Sequence, residues 1–306
     1  MAGQIGWKSE SVYGTPVTVD QFVPCLRSNL VIDEGYMRPE GIRGGRRVQN
    51  PGLLGKRVIS GAVEMELPNL TIAPLFKHLF GAVSTAGPGP YTFTPGAALG
   101  KSLTLQTGVT DTAGTIQPFT AEGVKPGSFS ISCNVGEFAK LSFDWTGETA
   151  VTGTALASAS YAATLAPFTF VQGTVSVNGS PVASARSLNF ACDKGLKSDR
   201  FVLGSRLIRE QLEEERWVWT SEIVADFESL TLFNLAAAAT QVASVYTFTN
   251  GTESLVITCS GQVTGDAPSL QSQGIEEQSI KLTHSHATAD ASAISALLTN
   301  GDTSSA

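Results

Sequence analysis

The sequence contains few charged residues and few cysteines. Only 15% of its 306 residues are Asp, Glu, Lys or Arg, whereas about a quarter is usual in globular chains. A large part of its surface is therefore expected to be covered by the fold or by partners. The formal net charge of −7 argues against general affinity for nucleic acid, because that affinity depends on Lys and Arg at phosphates. The four cysteines, Cys25, Cys133, Cys192 and Cys259, are widely spaced, and we expect buried, reduced thiols.

Long apolar runs and a secretory leader are also missing. No run approaches the roughly 18 apolar residues that span a bilayer. The N-terminus, MAGQIGWKSESVYG, lacks a basic start followed by an apolar segment. We therefore expect the chain to be synthesised and folded in a cytosol.

Motifs of catalysis and of metal binding are missing as well. The sequence has neither a GxSxG elbow nor a HExxH helix. Of the three histidines, His78 stands alone on the less apolar side of a predicted helix, and His284 and His286 share a strand face without carboxylates at ligand spacing. Glu64 and Glu66 could form a carboxylate pair for glycoside chemistry, but an exposed acidic strand face explains them more simply. We predict no enzymatic activity, no cofactor and no metal site.

The residues that are present favour a mainly β protein. Short runs of Val, Phe and Thr stand between Gly and Pro turn signals. The clearest element begins at residue 58, where Val63, Met65 and Leu67 alternate with Glu64 and Glu66. This is the period of a strand with one buried and one exposed face.

An amphipathic helix is predicted directly after this strand, over about 72–80. Its apolar residues recur at the spacing of one helix face: Ile72, Leu75, Phe76, Leu79 and Phe80. Thr71 is expected to be its N-cap and Gly81 to stand at its C′ position.

The strand and helix occur twice in the chain. A shift of 160 positions aligns them with residues 218–239. Apolar Ile223, Ala225 and Phe227 then fall where Val63, Met65 and Leu67 stand, and a second helix follows over about 230–239. Glu222 and Asp226 share the opposite face with Val224 and Glu228. The segments SNLVIDEG (28–35) and SLNFACDKG (187–195) also match, and YTFT begins at both 91 and 246. The sequence therefore predicts an internal duplication.

The duplication suggests the following order of parts. An N-terminal arm (1–21) precedes a first β domain (22–148), which contains a long loop (33–57). A linker (149–166) leads to a second β domain (167–287), which contains its own long loop (195–216). The C-terminal tail (288–306) is expected either to form a marginal helix near 291–298 or to stay loose until it meets a partner.

The first long loop is locally basic. Its basic residues are Arg38, Arg43, Arg46, Arg47, Lys56 and Arg57. The loop lacks the Walker and Rossmann phosphate-binding patterns. Three interpretations remain: nucleic-acid or nucleotide binding, a solvated charged loop, and a loop that docks on an acidic neighbouring subunit, which we favour.

Several stretches resemble the tail tube (major tail) proteins of long-tailed, non-contractile bacteriophages. The opening GQIGWKSESVYGTPVTVDQFVP is similar to the family pattern G-x-x-x-E-x-x-Y-G-T-x-V, and SGAVEMEL is followed by a short helix that ends in LFG. GVKPGSFSIS and VNGSPVASARSLNF also fit the strands and hairpins of that family. The resemblance implies a β-sandwich or β-barrel-like tail tube fold with short flanking helices.

The same resemblance implies a structural virion protein that polymerises as stacked rings around a channel for the genome. Its partners would be other copies of itself and the tape measure, tail terminator and tail-tip proteins. It would be assembled in the host cytoplasm, and DNA would pass through without specific binding. Acidic side chains are then expected in the channel: Glu64, Glu66, Glu222, Asp226 and Glu228.

The number of chains per ring follows from the duplication. If both halves supply an equivalent channel strand, three chains close a ring with pseudo-sixfold symmetry. The alternative within the family is a hexamer whose second half partly decorates the outside. Outside the family, the alternative is a carbohydrate- or cell-binding β-sandwich module with aromatic side chains at its loop tips.

Overall fold

The protein is described by a computed structural model, which covers residues 3–41, 48–85, 87–97, 99–264, 276–286 and 293–303. These residues form antiparallel sheets with two short helices, so the prediction of a mainly β fold is confirmed. The strands up to residue 151 are β1 (Gln4–Ser9), β2 (Gln21–Phe22), β3 (Arg27–Asp33), β4 (Tyr36–Met37), β5 (Leu53–Leu54), β6 (Val58–Glu66), β7 (Gly81–Val83), β8 (Tyr91–Pro95), β9 (Leu103–Thr110), β10 (Ile116–Asn134), β11 (Lys140–Gly147) and β12 (Thr149–Val151).

The second half continues in the same way. Its strands are β13 (Gly173–Val177), β14 (Ser180–Pro181), β15 (Ala185–Asp193), β16 (Val218–Asp226), β17 (Gln241–Asn250), β18 (Glu253–Thr264), β19 (Glu277–His284) and β20 (Ile294–Thr299). The helices are α1 (Ala73–Phe80) and α2 (Thr231–Ala237), close to the two predicted positions. Below, residues 22–148 are called the first unit and residues 167–287 the second unit.

One sheet of eight strands runs through both units. Its order is β3–β6–β11–β10–β15–β16–β19–β18, and every pair is antiparallel. We call it the central sheet. A second sheet, β2–β1–β9–β10–β12, shares the long strand β10. β10 can serve both sheets because its register shifts twice, between Ala121 and Val124 and between Pro126 and Ser128, and such bulges bend a strand.

The predicted alternation of the two central strands is confirmed. Val63 and Met65 of β6 are buried, as are Ile223 and Ala225 of β16. Beneath the sheet, Trp219 of the second unit packs against rings from both units. The ring centroids lie 5.4 Å away for Phe80, 5.6 Å for Phe129 and 5.6 Å for Phe190. The two units therefore share one hydrophobic core.

Both ends of helix α1 have a defined cap, but only one was predicted correctly. Gly81 ends the helix at φ 94°, as expected for a C′ glycine. The Thr71 side chain does not cap the N-terminus. Instead, the Asp302 carboxylate accepts hydrogen bonds from the backbone N–H groups of Thr71 (2.6 Å) and Ala73 (3.1 Å). These bonds hold Thr71 at φ 67°, a costly conformation for a β-branched residue.

Three terminal or linking segments differ from their predicted structure. Gln4–Ser9 is not an arm but strand β1, paired with β9, and Trp7 within it is fully buried. Thr149–Val151, in the predicted linker, pairs with β10. Ile294–Thr299 is a strand between β8 and β18 and not a helix, because Ile294, Ala296 and Leu298 are buried at the period of a strand.

The E-x-x-Y-G-T pattern near the N-terminus forms a buried polar turn. The Glu10 carboxylate accepts bonds from the N–H groups of Gly14 (3.0 Å) and Gly123 (2.9 Å) and from the Ser102 hydroxyl (2.6 Å). Gly14 has φ 71°, and a Cβ there would lie 1.7 Å from the Glu148 carboxylate. A larger residue at this position would have to displace the Glu148 carboxylate and would strain the backbone at this positive φ.

The Asp302 cap leads to the first prediction. Replacing Asp302 with Ala leaves the backbone N–H groups of Thr71, just before α1, and Ala73, its first residue, without their acceptor, so the free energy of unfolding should fall by about 1–2 kcal/mol. The variant Asp302→Asn keeps one side-chain oxygen at the same place, so its free energy of unfolding should fall clearly less. Urea denaturation followed by tryptophan fluorescence measures both. Equal stability of the Ala variant and the parent chain would contradict this role.

The second prediction concerns acid stability. Burial, with the nearby charges of Lys194 and Lys77, lowers the pKa of His78 to about 3, and burial lowers the pKa of His284 to about 4. At pH values between these lowered pKa values and the usual pKa of 6.5, the two histidines bind protons in the unfolded chain but not in the folded chain. Stability contributed by the neutral imidazoles is therefore present above pH 6.5 and is lost as the pH falls toward 4 and then 3.

Denaturation curves at several pH values between 7 and 4 should show this loss in the parent chain. The double variant His78→Gln, His284→Gln should show a weaker dependence of unfolding free energy on pH in that window. Carboxylates also titrate at low pH, but they are the same in both chains. The difference in pH dependence between the parent chain and the double variant therefore measures the contribution of the histidines. An unchanged slope would exclude the histidines as its source.

Candidate functional site: the polar face of the central sheet

The outward face of the central sheet is a continuous surface of small and polar side chains, which we call the polar face. Directly opposed residues on neighbouring strands share a face, so the strand registers define it. Its members are Arg27, Asn29, Val31, Asp33, Val58, Ser60, Ala62, Glu64, Glu66, Lys140, Ser142, Asp144, Thr146, Ser128, Ser130, Ser132, Asn134, Ser187, Asn189, Ala191, Asp193, Val218, Thr220, Glu222, Val224, Asp226, Glu277, Ser279, Lys281, Thr283, Gln262 and Thr264. Acidic residues outnumber basic ones, and aromatic residues are absent from this set.

The two units contribute to the polar face with the same register. Asp33 lies opposite Val58 in the first unit, and Asp193 lies opposite Val218 in the second, each residue 160 positions after its counterpart. The turns that follow also agree, since Gly35 N–H donates to the Asp33 carboxylate and Gly195 N–H to the Asp193 carboxylate, both at 2.9 Å. The sequence repeat is therefore a repeat of backbone geometry.

Four of the five acidic residues expected in a channel lie on the polar face. Glu64 stands opposite Arg27 and Ser142, and Glu66 stands opposite Lys140. Glu222 accepts a hydrogen bond from Ser279 Oγ at 2.7 Å.

The other two acidic candidates lie at the end of β16. Asp226 pairs with Arg186 at 2.8 Å, and Arg186 also pairs with Glu277 at 2.9 Å. Glu228 is exposed but lies beyond the end of β16, outside the sheet.

Of the six predicted basic residues of the first loop, three lie among the described residues. Arg43, Arg46 and Arg47 lie outside the described residues. Arg57 is bound within the chain, to Glu34 at 3.2 Å and to the Ala150 carbonyl at 2.9 Å.

The two remaining basic residues of the first loop also make contacts. The Lys56 ammonium lies 4.9 Å from the centre of the Phe201 ring. Arg38 is exposed, and its guanidinium donates to Gln49 at 2.5 Å.

Apolar residues of the first loop were missed by sequence reasoning. Strands β4 and β5 form a separate two-stranded ribbon, and Tyr36, Met37, Leu53 and Leu54 in it are each more than half exposed. The signal was present as two apolar dipeptides, YM and LL, at the two ends of the loop. Exposed apolar clusters of this kind mark contact surfaces.

The second loop, in contrast, packs onto the first unit. Gln211 is fully buried and Ile208 is 4% exposed. Glu210 pairs with the buried Lys125 at 2.7 Å, and the Arg206 guanidinium pairs with Glu34.

Next to the second loop, Lys194 is buried beside helix α1. Its ammonium donates to the His78 carbonyl and lies 5.0 Å from the centre of the Trp217 ring. Burial lowers the pKa of Lys194 to about 7. The second unit thus covers the C-terminal end of α1.

Two of the three histidines are buried, and the four cysteines form no disulfide. His284 is buried, 2.9 Å from Ser221 Oγ, whereas His286 is exposed beyond the strand. His78 is also buried, contrary to its predicted place on the less apolar side of the helix. Cys25 is exposed, Cys133 half-buried, and the other two cysteines buried, and all are free thiols. In the parts of the chain that are described, no group of His, Cys, Asp or Glu could hold a metal ion.

None of the helices in the described ranges is both long and apolar enough to cross a lipid bilayer.

A search of the curated proteins finds no significant match. The family model described as "Phage tail tube protein" matches residues 2–293, nearly the whole chain. The resemblance inferred from the sequence is confirmed, and the chain belongs to the phage tail tube protein family.

Proposed function

We propose that this chain polymerises as stacked rings into the tail tube, with its polar face lining the channel through which the genome passes. Membership of the family supports a structural protein of the virion tail without enzymatic activity. The proposal that the polar face lines the channel rests on the central sheet, in which both units present the same face in the same register. Assembly takes place in the host cytoplasm, and the tape measure, tail terminator and tail-tip proteins are the partners at the tube's inside and ends.

The polar face has the chemistry that a DNA channel requires. A lining rich in Lys and Arg would hold DNA through phosphate contacts and counterion release. The basic residues on this face are few and stand beside acids, as Lys281 does at 3.9 Å from Glu222. Small hydroxyl side chains bond to one another across strands, as Ser130 and Ser142 do at 2.8 Å. The face therefore offers DNA a smooth, weakly repelling wall.

The competing carbohydrate-binding function gains no support from the four tryptophans. Trp7, Trp145 and Trp219 are each at most 4% exposed. Trp217 is half-buried and packs on Trp219, with ring centroids 5.9 Å apart. Sugar-binding modules need exposed rings, and these four serve the core.

The ring should contain three chains. Each chain carries two register-matched units, so three chains place six equivalent units around the channel. Native mass spectrometry of rings released from purified tubes, together with the rotational symmetry of the tubes in electron cryo-microscopy, measures this number. Six chains per ring would contradict the proposal and favour a hexamer with external second units.

The charge of the polar face should control DNA retention. The variant Glu64→Lys, Glu222→Lys should assemble into tubes that bind short duplex DNA on the order of tenfold more tightly at low salt, with the gain lost as salt rises. The control Asp20→Lys, Asp199→Lys has the same net charge, and its side chains lie outside the polar face, at 48% and 71% exposure. Co-sedimentation of DNA with tubes measures both.

If the control retains DNA as strongly as the polar-face variant, the polar face does not line the channel. Urea denaturation of the unassembled chains checks that neither variant has lost its fold.

A further inference from the structure

The two units place charges of opposite sign at an equivalent position of the polar face. Ala62 lies opposite Asp144 in the first unit. Glu222 follows Ala62 by 160 positions and lies opposite Lys281 in the second unit. Asp144 and Lys281 are therefore counterparts. Where the first unit presents a carboxylate, the second presents a lysine whose side chain is 54% exposed.

The same reversal occurs four residues earlier on the same two strands. Glu66 lies opposite Lys140 in the first unit, and its counterpart Asp226 lies opposite Glu277 in the second. A lysine of the first unit thus corresponds to a glutamate of the second. The Arg186 guanidinium pairs with both carboxylates of the second unit, at 2.8 and 2.9 Å. A charge that is reversed between the units is therefore balanced by a neighbouring side chain.

The group that balances Lys281 is the carboxylate of Glu222. Its Oε1 atom lies 3.9 Å from Lys281 Nζ and accepts a hydrogen bond from Ser279 Oγ at 2.7 Å. Ser279 and Lys281 are both on β19, so the carboxylate is held between β16 and β19. The first unit has Ala62 at the position of Glu222 and Asp144 at the position of Lys281. The acid is thus present in the unit that has the lysine.

An ion pair this exposed adds little to the stability of the fold, because water and salt screen it. Its effect on a passing polyanion is larger. An unpaired lysine can take up a phosphate and release the counterions of DNA. An ammonium beside a carboxylate presents little net charge to a phosphate farther away, since the two contributions to the potential oppose each other. Pairing therefore decides whether Lys281 can hold DNA.

We propose that Glu222 is a positioning residue that keeps Lys281 from binding DNA phosphates while the genome passes. This inference rests on the proposed function, in which the polar face lines the channel. In a ring of three chains, three Lys281 side chains alternate with three Asp144 side chains at equivalent positions, which avoids a ring of six like charges. The pairing with Glu222 allows the wall to include these lysines without adhering to DNA.

Tubes assembled from the variant Glu222→Gln test this role. The glutamine can still accept the hydrogen bond from Ser279, but Lys281 loses the negative charge beside it. Co-sedimentation of a short duplex DNA with the tubes should rise at least about threefold at low salt. Between 50 and 200 mM salt, retention should fall about 3.5-fold more than in parent tubes for each Lys281 that meets a phosphate.

The variant Asp144→Asn is the matched control. It removes one negative charge from the polar face, as Glu222→Gln does, but Asp144 stands opposite the uncharged Ala62 and Ser128. It also accepts a hydrogen bond, from Ser128 at 3.1 Å, which asparagine can accept too. DNA retention by these control tubes should rise less, and its dependence on salt should be that of the parent tubes.

Two further variants show whether the effect acts through Lys281. Adding Lys281→Gln to Glu222→Gln should return both the retention and its salt dependence to the level of the parent tubes. Glu222→Asp keeps the negative charge and should differ little from the parent. Urea denaturation of the unassembled chains should give the midpoint of the parent for every variant, because the pair is half exposed.

The outcomes separate the role of Glu222 from the proposed function. A gain in Asp144→Asn tubes as large and as salt-dependent as in Glu222→Gln tubes would show a general effect of charge and overturn the role of Glu222. Parent-like retention by Glu222→Gln tubes would also overturn it, and the function would stand if Glu64→Lys, Glu222→Lys tubes retain DNA. If those tubes retain no more DNA than the Asp20→Lys, Asp199→Lys control, both proposals fail.

Discussion

The hydrogen-bonded pairing of β10 with β15 is the contact on which the rest of the architecture depends. It joins Ser128–Asn134 to Asp193–Ser187, with successive residues paired without a shift. Because side chains alternate along a strand, a slip of one residue would turn every core side chain of one unit toward the polar face of the other. The aromatic cluster of Phe129, Phe190 and Trp219 lies beneath this junction and opposes such a slip.

Much of this arrangement could be predicted from the sequence where the period of a segment is unambiguous. Residues 62–67 alternate between apolar and more polar positions, and 73–80 carry a wide apolar stripe. The local pattern and the burial in the structure agree in both segments. Residues 294–299, ISALLT, are different, because Ala and Leu favour a helix and the run is short. Only pairing with β8 and β18 makes this segment a strand, and residues this distant in sequence leave no local signal. The same holds for Asp302, which caps a helix more than 200 residues earlier in the chain.

The long loops show a related limit. Their charges are visible in the sequence, which predicts that the basic side chains of the first loop contact a neighbouring subunit. In the structure, Arg57 and Lys56 contact their own chain, while the apolar residues at the loop ends are exposed. Whether a charged loop folds onto its own chain depends on the surface beneath it. The second loop has such a surface because the first unit precedes it, with Lys125 placed to meet Glu210.

The duplication also explains why the two units have diverged at their junctions. Glu34 and Arg57 form an ion pair at the positions where the second unit has Lys194 and Trp217. In a ring of proposed pseudo-sixfold symmetry, the junction within the chain and the junction between chains must turn the sheet by similar angles for it to close. The two junctions need not have the same side chains. Different side chains at the two junctions allow each unit to pair with the correct neighbouring unit and not with a wrong one. In the second unit, the buried ammonium of Lys194 donates a hydrogen bond to the His78 carbonyl near the C-terminal end of α1. In the proposed ring, divergence at these positions would make the chain of two unlike units, and not the single unit, the building block.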